Sequence, residues 1–171
     1  VIIDGQKITS LSEQFLSRFR RQYFGFIFQD YHLIKGVSVL ENIMAPAYPT
    51  GRRPDLIRQD ALALLEKMEI IDKAKQKVER ISGGEQQKVV IARAQINDPS
   101  IIIADEPTSH LHSDGIEQFL DTLNDLITRG KSVILSTHNP YLFESSIIDR
   151  RIELKDGRLL NDSDGEMSIV H

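Results

Sequence analysis

Apolar positions in this chain follow two spacings, and the two alternate. Residues 24–28, 101–104 and 133–135 are short unbroken apolar runs, the pattern of strands covered on both faces in a parallel sheet. Elsewhere apolar residues recur every third or fourth place: Leu11, Phe15, Leu16 and Phe19; Ile57, Ala61, Leu64, Leu65 and Met68; Ile116, Phe119, Leu120, Leu123, Leu126 and Ile127. That spacing predicts amphipathic helices, the last closed by Gly130. Residues 1–6 read as a strand entering a turn, and 151–160 as a hairpin on Asp156-Gly157. The charge-rich stretch 67–79 is expected to face solvent, and the polar tail 161–171 to fray. Strand, helix, strand in succession makes the class α/β, a mostly parallel sheet flanked by helices.

Candidate chemistry sits where the predicted strands end, which is where open α/β sheets bind ligands. The run Ile101-Ile102-Ile103-Ala104 delivers two adjacent carboxylates, Asp105 and Glu106. In a nucleotide site the first acid at such a strand end holds Mg²⁺ and the second polarises an attacking water. An acidic loop that merely follows a core strand is the alternative. His138 closes the next strand, 132–137, and the βαβ connection should bring it near Asp105 and Glu106. Gln29-Asp30 follow the first buried strand; taken alone, a glutamine there is a turn residue.

A second informative stretch is Ser82-Gly83-Gly84-Glu85. Serine with glutamate three places on is a capping box, so a helix should start here and run through residues 89–96. Paired glycines are poor helix formers. They leave backbone N–H groups open to a phosphate at the helix start; a plain glycine turn is the alternative.

Bulk properties narrow the class. At 171 residues the chain is one domain or most of one, enough to bury roughly 70% of its unfolded surface. Lys and Arg number 21 against 25 Asp and Glu, a net charge of −4, which gives no support to nucleic-acid binding driven by phosphate neutralisation. With no cysteine, disulfides and thiolate metal sites are excluded. No apolar run approaches the ~20 residues of a membrane helix, so any membrane connection is expected to pass through a partner.

Placed together, these segments resemble the nucleotide-binding domain of ATP-binding-cassette (ABC) proteins, all but its first part. Ile81 to Gln86 resembles the signature motif, Ile101 to Glu106 the Walker B strand, Phe28-Gln29 the Q-loop and Thr137-His138 the H-loop. The wording of residues 3–5, 25–29, 39–43 and 153–157 is similar to ATPases of the lipoprotein-releasing and macrolide-export kind. The resemblance implies a P-loop NTPase-like fold, incomplete at the N-terminus, with a helical signature-motif subdomain within about 30–95. The Walker B to H-loop core and C-terminal hairpin would occupy about 97–160. It implies ATP and Mg²⁺ as ligands: Asp105 and Gln29 at the metal, Glu106 and His138 catalytic, and Ser82, Gly83, Gly84 and Glu85 serving the ATP held mainly by a second cassette. The implied partners are that second cassette and a membrane permease, with the chain peripheral on the cytoplasmic face of the plasma membrane. Neither nucleic-acid binding nor direct membrane insertion is implied.

Two departures qualify the resemblance. No Gly-x-x-x-x-Gly-Lys-Ser/Thr occurs; Gly130-Lys131-Ser132 precedes a strand, whereas a phosphate loop must open a helix. The expectation is that this loop lies upstream, that the chain alone binds ATP weakly or not at all, and that it does not hydrolyse it. An exposed sheet surface left by the missing part would favour self-association. The D-loop reads Ser109-His110-Leu111-His112, with histidine where the family has an acid. That is a tolerated variant or a mark of impaired hydrolysis; two histidines without a third ligand are a weak metal signal. The leading expectation is a transport ATPase. The alternative is a non-hydrolytic module that lends its signature motif to a partner cassette. DNA- or ribosome-directed members of the family carry large insertions or a second cassette, and neither is visible here.

Overall fold

The computed structural model describes residues 2–3, 6–8 and 12–164. Parts of the expected elements at Val1, Asp4, Gly5, Leu11 and residues 165–171 lie outside the described residues.

The centre is a three-stranded parallel sheet in the order β3 (Phe24–Ile27), β4 (Ile101–Asp105), β5 (Ser132–Ser136). Its register aligns Gly25 with Ile102 and Val133, and Ile27 with Ala104 and Leu135. Side chains alternate across a strand, so these residues share one face. Gly25, Ile27, Ile102 and Ala104 on it are buried. Helix α4 (Gly83–Gln95) lies against this face closely enough that a Cβ on Gly25 would collide with the Ala94 carbonyl and the Ile102 side chain.

The opposite face differs from the expected picture of strands covered on both sides. Phe24, Phe26, Ile101 and Ile103 are half-buried, and Ile134 is 60% exposed. Fully burying an isoleucine is worth about 1.5–3 kcal/mol, so Ile134 forgoes most of that gain. The pattern within each run is uniform, and nothing in it distinguishes a covered face from an open one.

The expected helices are present with defined starts. Ser12 caps α1 (Glu13–Tyr23); a helix that the spacing did not predict, α2 (Val39–Met44), starts at Ser38 in a full capping box with Glu41. Pro54 opens α3 (Pro54–Lys67), and α5 (Ser113–Thr128) runs to a left-handed Gly130. Helices α2, α3 and α4 bury Val39, Ile43, Ile57, Leu65 and Val89 against one another. The stretch 67–79 is not simply solvent-facing. Ile70, Ala74 and Val78 are buried, because the chain doubles back along the start of α2, where Val39 N–H donates to Gln76 O and Leu40 N–H to Ala74 O.

At the edges, β1 (Ile2–Ile3) pairs antiparallel with β2 (Gln6–Lys7). The hairpin β6 (Arg150–Lys155) and β7 (Arg158–Asp164) turns on Asp156 and Gly157, both left-handed, as a two-residue hairpin requires. The hairpin continues past Leu160: Asn161 and Asp162 pair with Glu153 and Ile152. The expected fraying from residue 161 is therefore corrected for 161–164, where Arg150 grips Asp162 at 2.7 and 2.9 Å. This guanidinium holds the Asp162 carboxyl below its ordinary range.

Candidate functional site

The parallel strands deliver their last residues to one edge. Asp105 ends β4 and pairs in register with Ser136, whose hydroxyl donates to Asp105 Oδ1 at 2.5 Å. One residue on, Glu106 takes a left-handed backbone (φ 43°) while its N–H donates to Ser136 O at 3.0 Å. A non-glycine residue in that region costs about 1–3 kcal/mol and persists where its surroundings over-determine it. The turn directs the Glu106 side chain to His138: Nδ1 of His138 lies 2.8 Å from Glu106 Oε1. The histidine is 81% exposed and the glutamate 21%. The other carboxylate oxygen, Oε2, is shut off from solvent without a hydrogen-bond partner. An orphaned carboxylate oxygen is an acceptor awaiting a donor. The proximity of His138 to the acid pair, expected from the βαβ connection, is thus present.

Supporting bonds fix the two loops. Asn139 Nδ2 donates to the buried Thr108 Oγ1 at 3.4 Å, and Gln87 Nε2 of α4 donates to Pro107 O at 2.8 Å. Sequence reasoning missed Ser136, Thr108 and Gln87. Ser136 was recoverable by sliding the two strand runs into register; Gln87 looks in sequence like any polar helix residue.

Gln29 lies two residues beyond Ile27, whose register partner is Ala104, so it leaves the sheet level with Glu106. It is exposed and occupies a turn closed by Tyr31 N–H to Phe28 O at 3.2 Å. Tyr31 and His32 follow in left-handed conformations (φ 56° and 46°).

Ser82 to Glu85 form a separate group at the start of α4, joined to the β4 edge through Gln87. The expected capping box is present: Ser82 N–H donates to Glu85 Oε2 at 2.7 Å, and Glu85 N–H to Ser82 Oγ at 3.3 Å. The Ser82 backbone N–H, then its side chain, hold the Glu85 carboxyl below its ordinary range, with Lys73 3.5 Å away. Gly83 and Gly84 are exposed, have ordinary helical backbones, and a Cβ on either would meet nothing within 4 Å. The fold of this chain does not require them to be glycine.

His110 packs against Tyr31, ring centroids 5.7 Å apart at 81°, and His112 occupies the N-cap of α5 without a side-chain cap bond. Among the described residues no group of three metal-ligating side chains is assembled. For a hard cation the strand edge offers oxygen donors in the Asp105 and Glu106 carboxylates and the Gln29 amide, the donor type that Mg²⁺ takes beside phosphate and water.

The family model for the ABC transporter matches residues 1–109. The chain belongs to the ABC transporter family. It is 43% identical over 168 residues to the macrolide export ATP-binding/permease protein MacB of Escherichia coli, covering 98% of this chain and 26% of that protein. MacB of Bartonella henselae is 38% identical over 161 residues, 94% of this chain and 24% of that protein. The chain thus spans about a quarter of the length of the curated relatives it matches. Among solved structures it is similar to the ATP-binding cassette MJ0796 in a dimeric post-hydrolysis state bound to ADP and Pi. The TM-score is 0.83 and the identity 34%, over 95% of this chain and 72% of that one. The fold is the P-loop NTPase type of ABC cassettes. No helix among the described residues is long and apolar enough to cross a membrane.

Proposed function

We propose that this chain is the signature-, Walker B- and switch-bearing part of an ATP-hydrolysing cassette that drives an export permease. The Glu106–His138 pair carries the reading: an acid in a strained left-handed turn, held through one oxygen by a histidine, with the other oxygen enclosed and free. Such a carboxylate orients water for attack on a γ-phosphate, a reaction whose catalysis is mostly positioning and charge stabilisation. The Glu106 carboxylate would accept the hydrogen bond of the attacking water. His138 holds Glu106 and offers its exposed ring to the γ-phosphate. Asp105, oriented by Ser136, and Gln29 would hold Mg²⁺, which supplies charge neutralisation at the phosphates. Phosphate contact by Gly83 and Gly84, with Ser82 and Glu85 as the cap that shapes the helix start, serves ATP bound mainly by a second cassette. That the fold itself does not need either glycine supports this.

The partners proposed are that second cassette, a copy of the same protein, and a membrane permease, with the cassette peripheral on the cytoplasmic face. A cleft of about 470 Å³ beside Gln29, lined by Phe28, His32, Ile34, Pro46 and Arg93 among others, is the proposed seat of the permease. The 171-residue chain by itself should bind ATP weakly and not turn it over, since its sequence holds no Gly-x-x-x-x-Gly-Lys-Ser/Thr. The same absence, with His112 in the D-loop, supports a second reading, a non-hydrolytic cassette that lends its signature motif to a partner. Hydrolysis of Mg-ATP by the full-length protein in its membrane complex decides between them. Turnover supports the first reading, and ATP binding without turnover the second.

A further inference from the structure

Arg93 lies near the C-terminal end of α4, on the same helix that begins with Gly83 and Gly84. Its guanidinium Nη1 donates to His32 O and Nη2 to Tyr31 O, both at 2.6 Å. It is half-buried, and among the described residues it makes no ion pair with a carboxylate. A half-buried charged group thus grips two successive main-chain carbonyls. The gripped residues are the left-handed pair Tyr31 and His32. Two consecutive non-glycine residues in that region need an outside constraint, and a planar guanidinium fork spans two adjacent carbonyls where a lysine point charge takes one at a time.

The pair closes the turn that presents Gln29, since Tyr31 N–H donates to Phe28 O. It also faces two other parts of the molecule. The His32 ring packs edge-on to Phe28 at 5.2 Å in the cleft beside Gln29, and the Tyr31 ring meets His110 in the turn after β4. Arg93 itself lines that cleft.

We propose that Arg93 is a positioning residue that ties the Gln29 turn to the signature helix through the carbonyls of Tyr31 and His32. A shift of α4 then moves Gln29, and pressure on the cleft moves α4. This rests on the ATPase reading above. Gln29 is the residue that would hold the metal; Arg93 would act through the turn, its bonds going to the main-chain carbonyls.

Arg93→Lys in the full-length protein with its permease tests this, because the charge and the aliphatic stem are kept and only the fork is lost. Two readouts apply: steady-state hydrolysis against ATP concentration, and deuterium exchange of the amides of residues 30–33. The expected result is a fall of roughly tenfold in kcat at a KM for ATP changed by less than about twofold, with faster exchange at 30–33 and an unaltered melting temperature. Unchanged kcat, or a loss that tracks a lower melting temperature, overturns the inference; so does unaltered exchange. Wild-type turnover, abolished by Glu106→Gln, is the separate check on the ATPase reading. If that turnover is absent the reading has failed, and the exchange at 30–33 still decides whether Arg93 holds the turn.

Discussion

His138 Nδ1 sits 2.8 Å from Glu106 Oε1, across the gap between the ends of two parallel strands. The contact depends on the left-handed backbone of Glu106, which turns the side chain toward the neighbouring strand's exit. Replacing His138 by alanine leaves the Glu106 carboxylate without its holder. Turnover by the full-length protein is expected to fall roughly 10²-fold or more, within the range that positioned acid–base groups contribute. Steady-state ATPase assays of His138→Ala check this; activity within about twofold of wild type would detach the histidine from the chemistry.

Ser136 donates to Asp105 at 2.5 Å and so orients the carboxylate proposed to hold Mg²⁺. Ser136→Ala removes the donor without touching ATP. The Mg²⁺ concentration for half-maximal hydrolysis is expected to rise about tenfold, as for other residues that support a metal ligand. The melting temperature should hardly change, since Ser136 is exposed.

Gly83 and Gly84 offer a test in which stability and function move in opposite directions. A Cβ on either enters open space, and alanine is favoured over glycine in helices by up to about 1 kcal/mol. Gly84→Ala should therefore melt no lower than wild type, and thermal unfolding will show it. Hydrolysis by the full-length protein should nevertheless drop, because in the proposed arrangement the added methyl group would stand where phosphate and partner cassette approach. A variant both more stable and fully active would refute the phosphate role.

Much of the site's neighbourhood was legible from sequence because strand ends are punctuated: Asp105 directly follows one apolar run, His138 follows another after Ser136 and Thr137, and the βαβ rule then makes the two strands neighbours. Ser82 and Glu85 were legible because a capping box is a local pattern. Face-specific burial was not. Ile134 and Ile102 look alike in sequence, and only the register with a packed or open face separates them. Ile70, Ala74 and Val78 were hidden among charges, since their burial comes from doubling back along α2. Arg93 carries no local signal at all, because its partners are main-chain carbonyls about sixty residues earlier in the chain.

Acid sensitivity follows from the two capping boxes. Hydrogen bonds from Ser38 to Glu41, side chain first and then backbone, hold that carboxyl below the ordinary 4.5, as Ser82 does for Glu85. A carboxyl with a lowered folded pKa contributes stability above its unfolded value, and the contribution is lost as pH falls through the folded one. Urea midpoints should therefore drop as pH falls below 4.5, and Glu41→Gln and Glu85→Gln should flatten that drop. Equal slopes in wild type and variants would dissociate the caps from acid unfolding.

The open sheet face bearing Phe24, Phe26, Ile103 and the exposed Ile134 should make the 171-residue chain self-associate. Light scattering is expected to give a mass above 19.4 kDa that rises with concentration; a monomer at every concentration would contradict this.

The central claim is that Glu106 orients the water that attacks ATP. Its most direct test is Glu106→Gln in the full-length protein, an isosteric change that keeps the contact to His138 but removes the charge. ATP binding should stay within about threefold of wild type while turnover falls by roughly 10²–10⁴-fold, the range for a lost general base. Turnover that survives this substitution would contradict the account.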